Sequence, residues 1–172
     1  DVFVGDAQDF FESPPERVSV GDGDAQINGY SGALSPSAIS DDGRYVAFAV
    51  DTPVSIDGSN AGTLSDVFVR DRTAGTTSLM SKSTAGVAGS STSEMAAISP
   101  SGRYVVFRSF STNLVESASG SRIYVRDRQA NTTTNMPLPP GAASCEDPRI
   151  SDLADILAQC NMDSGSAQAI LY

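Results

Sequence analysis

Histidine and tryptophan are both absent from this chain, and lysine occurs once, at Lys82. Without histidine there is no Ser-His-Asp or Cys-His catalysis and no imidazole metal site. No Gly-x-Ser-x-Gly elbow is present either, so a serine-hydrolase nucleophile is not supported. Apolar runs are short: Tyr45 to Val50 is typical, far below the ~20 residues of a membrane-spanning helix. Basic charge is scarce, with 11 Lys and Arg against 21 Asp and Glu, a net charge of −10. Phosphate backbones and anionic membranes are therefore poor partners, because no basic stripe escapes its acidic neighbours.

What is present suits one packed domain. At 172 residues with 40% hydrophobic and 19% charged side chains, the chain is long and apolar enough for its own core. Richness in Ser, Thr, Gly, Ala and Asp with little Lys is the composition of many exported β-proteins, which points to secretion, the cell surface or the periplasm. The opening at Asp1, with neither Met nor an apolar leader, fits a chain that has lost a signal peptide.

A repeat dominates the sequence. Ser40-Asp-Asp-Gly-Arg-Tyr-Val-Ala-Phe48 returns as Ser99-Pro-Ser-Gly-Arg-Tyr-Val-Val-Phe107, each preceded by Ala-Ile. Asp66-Val-Phe-Val-Arg-Asp-Arg72 returns in the same order as Arg122-Ile-Tyr-Val-Arg-Asp-Arg128. A fixed period of this size means stacked supersecondary units. In the first full unit, strands are expected at Ala38 to Ser40, Arg44 to Val50, Asp66 to Arg70 and Thr76 to Ser81. Gly43 and Gly102 supply the left-handed residue of the first hairpins, and Gly75 and Asn131 that of the third-to-fourth turns. The segment Tyr45 to Val50 is apolar on both faces, as for a strand covered by protein on each side. Helix is almost absent from this pattern, with only Gln8 to Glu12 and Ser151 to Ala158 open to either assignment.

These strings, Ile-Ser-Asp-Asp-Gly-Arg-Tyr-Val-Ala-Phe and Ser-Asp-Val-Phe-Val-Arg-Asp-Arg, resemble the repeat of TolB-like, or WD-like, β-propellers. The resemblance implies periplasmic or extracellular propellers that make protein contacts, and it implies no chemistry. The expected fold is all-β, antiparallel and β-propeller-like, with four-stranded blades at 35–86 and 94–143 and partial blades at 1–34 and 145–172. About three blade equivalents are fewer than usually close a ring. Three outcomes stay open: a fragment of a larger propeller, a subunit completing a ring with its own copies, or a filament in which a terminal strand such as Asp1 to Val4 completes a neighbour's sheet.

Candidate sites are few. The carboxylates Asp41, Asp42, Asp71 and Asp127 fall in turns, where capping amides or pairing with Arg is the expected role. No cofactor is expected, with calcium the one metal the loops could suit: Asp22, Asp24 and Asn28 place three oxygen side chains at positions 1, 3 and 7, and Asp57 and Asn60 precede Asp66. Both loops also read as ordinary Asp/Asn/Gly turns. Cys145 and Cys160 flank a turn near Leu153 symmetrically, which places them opposite each other and permits a disulfide closing a loop of about 16 residues. Asn131-Thr-Thr133 fits the glycosylation pattern. The leading functional expectation is a non-enzymatic extracellular or periplasmic scaffold that contacts protein, including copies of itself; a ligand- or calcium-binding propeller fragment, or an accessory propeller of a larger secreted enzyme, is the alternative.

Overall fold

The computed structural model describes residues 1–6, 14–27, 30–32, 38–51, 64–116 and 120–172. Among these residues the chain is all-β, in four antiparallel sheets stacked in series that do not close into a ring. The first sheet pairs β1 (Phe3–Val4) with β2 (Glu16–Arg17). A 3-10 turn at Asp22–Asp24 leads to the second sheet, of β3 (Tyr30–Gly32), β4 (Tyr45–Asp51), β5 (Asp66–Asp71) and β6 (Thr76–Leu79). The third sheet repeats this meander with β7 (Ser93–Ile98), β8 (Tyr104–Ser109), β9 (Arg122–Asp127) and β10 (Thr132–Asn135). The fourth holds β11 (Ala142–Ile150), β12 (Ile156–Met162) and β13 (Ala167–Leu171).

Strands two and three of the inner units pair along their whole length because both are rich in Val, Phe and Tyr, whose side chains pack well on a pleated surface. Their alternation sends one set of residues to each neighbouring sheet. Phe48, Val50, Phe68 and Leu79 face the first sheet, while Ala47, Val67 and Val69 face the third. In the third sheet Phe107 and Tyr124 face back, and Val106, Ile123 and Val125 face forward onto Cys145, Ile150, Ile156, Ala158 and Cys160. Stacked aromatic pairs, Phe48 on Phe68 and Phe107 on Tyr124, centre the two inner sheets with centroids 6.1 and 5.8 Å apart. Each fully buried aromatic or branched side chain contributes about 1.5–3 kcal/mol relative to exposure.

One departure from the sequence expectation concerns the first strand of the second sheet. Ala38 to Ser40 contributes only a single bridge, Ile39 to Val46, and the strand proper is Tyr30–Gly32, paired with Asp51, Val50 and Ala49. Its counterpart Ser93–Ile98 pairs along both ends of β8, with a bulge between Glu94 and Ala97. Eight chain steps separate Ser31 from Ile39 where five separate Ser93 from Ile98, so the same two contacts are split by extra residues. Of the two segments open to a helical assignment, 8–12 lies outside the described residues, and Ser151 to Ala158 is a hairpin turn and the start of β12.

Hairpin turns stack in a column along one end. The Asp41 amide donates to the Pro100 carbonyl at 2.9 Å, and the Ser101 amide and hydroxyl donate to Asp152 Oδ1 at 3.0 and 2.5 Å. Gly102, at φ 74°, lies so close to the Tyr45 ring that a Cβ would meet it at 2.2 Å. Only glycine satisfies both the left-handed backbone and this approach.

Candidate functional site

The repeated Gly-Arg-Tyr and Arg-Asp-Arg strings meet in space. Arg44, at the start of strand two, forks onto Asp71, at the end of strand three, with Nε–Oδ1 at 2.9 Å and Nη2–Oδ2 at 2.7 Å. Arg103 makes the same fork onto Asp127, with Nη2–Oδ2 at 2.7 Å. Each Asp also accepts from two of the amides that follow it, Thr73 and Ala74 or Gln129 and Ala130. The arginine forks first, and then these amides, hold both carboxyls down at about 2. For Asp71 and Asp127 the expected capping of amides and pairing with Arg are both observed, the partner being the arginine across the ladder.

A second device latches successive sheets. Thr77 Oγ1 donates to the Val20 carbonyl at 2.7 Å, and the Thr77 amide donates to Asp22 Oδ1 at 2.8 Å. One interface later Thr133 Oγ1 donates to the Lys82 carbonyl at 2.5 Å, and the Thr133 amide donates to Thr84 Oγ1 at 2.9 Å. The connector 18–27 therefore corresponds to 80–89 with a constant shift, an equivalence repeated by the paired bridges Val20–Gln26 and Lys82–Ala88.

That equivalence locates the calcium candidates. Asp22 occupies the place of Thr84 and serves the latch, and Asp24 pairs with buried Arg70. Asp66 is buried within the second sheet, where it accepts the Ser81 hydroxyl at 2.6 Å. Asn28, Asp57 and Asn60 lie outside the described residues. Among the described residues no group of three or more His, Cys, Asp or Glu is placed to hold a metal. The Thr77 amide and the Arg70 guanidinium thus already engage one oxygen each of Asp22 and Asp24.

The disulfide is formed. Cys145 and Cys160 face each other in the β11–β12 register, with Cα atoms 4.0 Å apart, and both are fully buried against Ile150, Ile156 and Ala158. The reversal falls at Ser151 to Asp155, around Leu153 as the spacing predicts.

The fourth sheet presents its far side to solvent. Leu157 and Leu171 take the forward-facing places that Val106 and Val125 hold in the third sheet, since Ile156 pairs with Tyr172 as Val105 does with Arg126. Val106 is fully buried, whereas Leu157 is 46% and Leu171 73% exposed. Tyr172 exchanges both hydrogen bonds with Ile156, so the alternation of an antiparallel pair turns the backbone groups of Leu171, Ala169 and Ala167 away from β12. Sequence reasoning anticipates an open edge here but not the apolar face beside it.

Sequence reasoning also misses a pocket of about 170 Å³ between the second and third sheets, lined by Ser78, Met80, Lys82, Arg126, Arg128 and Asn131. Its only sequence signal is a difference between units, visible once the connectors are aligned.

No family model matches the sequence, and no curated protein matches it. Among solved structures the chain is similar to TolB from Acinetobacter baumannii, at 15% identity and a TM-score of 0.52, over 86% of this chain and 30% of that one. The likeness shows a shared fold, and the chain spans about a third of the length of the protein it matches.

Proposed function

We propose that this chain is a non-enzymatic interaction module of the extracellular or periplasmic β-propeller kind, in which the stacked sheets are blades. The observation that carries this reading is the exposed forward face of the fourth sheet. Leu157 and Leu171 stand where the inner sheets bury apolar side chains under a neighbour, and a strand edge with no partner among the described residues lies beside them. Another β-sheet is the occupant that fits, because the same positions in the inner sheets are covered by one. A second copy of this chain supplies it, by stacking on this face and adding a strand to β13.

Light scattering over a range of concentrations tests the reading. The mass is expected to rise from one chain to two or more, and Leu157→Glu is expected to return it to one. A single-chain mass at every concentration contradicts self-association. That outcome favours a second reading, in which the covering sheet belongs to a longer chain; the match to only 30% of TolB supports it.

A further inference from the structure

We propose that the pocket between the second and third sheets is a binding site for a small oxyanion, the carboxylate or phosphate group of a ligand. Two successive interfaces differ in their charge. Between the first and second sheets, Arg70 pairs with Asp24, and Arg72 forks onto Glu16 Oε2 at 2.8 and 2.6 Å. The strand equivalence places Arg126 where Arg70 stands and Arg128 where Arg72 stands. The connector equivalence places Gly86 at the position of Asp24, Ser78 at that of Glu16 and Lys82 at that of Val20. At these equivalent positions the second interface keeps both guanidiniums and has neither carboxylate.

Ser78, at the position of Glu16, lines the pocket together with Arg126 and Arg128. Among the described residues its lining includes Lys82, Arg126 and Arg128 and no acidic residue, in a chain whose net charge is −10. Arg126 is 3% exposed, and its hydrogen-bond acceptors among the described residues are neutral: the carbonyls of Ser83 and Asn131, the Thr133 hydroxyl and the Asn131 side-chain oxygen. Burial pushes its pKa down, against the smaller opposing pull of the neighbouring Asp127 carboxylate. Arg128 lies over the Tyr45 ring at 4.1 Å and donates Nη1 to the Gly102 carbonyl. Its Nε and Nη2 have no protein acceptor among the described residues, which leaves one edge of a rigid fork for a ligand. A planar guanidinium fork matches carboxylate or phosphate oxygens in two parallel bonds, and such bonds strengthen where water is partly excluded.

Titration calorimetry of the intact chain with sodium succinate and with sodium phosphate, each against sodium chloride at matched ionic strength, tests the site. Binding of millimolar order or tighter is expected for at least one of the two, and the tighter one identifies the preferred group. Arg128→Gln is expected to weaken it at least tenfold, and Arg72→Gln, already paired with Glu16, to leave it within twofold. A variant carrying Gly86→Asp and Ser78→Glu restores both missing carboxylates. Gly86 has φ 84° with open space where a Cβ would project, and Asp24 adopts φ 61° at the equivalent place. That variant is expected to lose anion binding while melting higher than the wild type, which a folding defect does not produce. Absence of binding beyond chloride, or binding left intact by Arg128→Gln or by the Gly86→Asp, Ser78→Glu variant, overturns the proposal.

Discussion

The third and fourth sheets share the same meander but stabilise it by different chemistry. In the third, the hairpin Ser99 to Tyr104 carries Arg103, which forks onto Asp127, and Phe107 stacks on Tyr124 in the core. In the fourth, the matching turn runs from Ser151 to Asp155, one residue shorter, and no residue stands in place of Arg103. Ala158 and Ile170 occupy the places of Phe107 and Tyr124. What the fourth sheet has instead is Cys145 bonded to Cys160 inside that thinner core. The third sheet, with neighbours on both faces, holds itself by packing and a charged fork, and the fourth, with one neighbour among the described residues, adds a covalent cross-link. Small cores in general depend on such staples.

Breaking each side of that comparison should give graded effects. Phe107→Ala removes a fully buried ring between two sheets and is expected to cost ~3–5 kcal/mol in denaturant unfolding. Reducing the disulfide, or Cys160→Ser with Cys145→Ser, is expected to cost roughly 3 kcal/mol. Amide exchange should localise that loss to β12 and β13, with β4 and β8 unaffected. Equal loss across all sheets would show that the fourth is not stabilised separately.

Asp71→Asn and Asp127→Asn are each expected to cost about 1–2 kcal/mol at neutral pH, the arginine partners being partly exposed. The same forks set an acid dependence. Both folded carboxyls titrate at about 2 against an ordinary 3.8. Their contribution is therefore complete above pH ~4–5 and is lost as pH falls from there toward 2. Stability measured across that window should fall less steeply in the Asp71→Asn, Asp127→Asn double variant. The smallest effect belongs to the open face: Leu157→Ala in dilute solution should change stability by less than ~0.5 kcal/mol, in contrast to Val106→Ala at the covered equivalent.

Legibility in the sequence tracks how contiguous each feature is. The two-sided apolar strands, the hairpin glycines and the disulfide can be read because each lies in one short string or across one turn. The fork is half legible: Gly-Arg-Tyr and Arg-Asp-Arg are visible as motifs, but that Arg44 reaches Asp71 depends on the ladder register. The split first strand escapes notice because Tyr30–Gly32 is separated from Ile39 by residues with no counterpart before Ile98. The latch and the cationic pocket are hidden for a related reason. Connectors and strands recur with different spacings, so a single sliding offset never sets Asp24 beside Gly86 and Arg70 beside Arg126 together.

The proposed role depends on two features of the fourth sheet, the outward backbone groups of β13 and the exposed face carrying Leu157 and Leu171. Hydrogen exchange at the Ala169 and Leu171 amides, followed from dilute to concentrated protein, reads this at the residues concerned. These amides should exchange freely in dilute solution and become protected as concentration rises, with the Ile170 amide slow throughout. Full protection at the lowest concentration, or free exchange in a sample that light scattering shows to be associated, would contradict it.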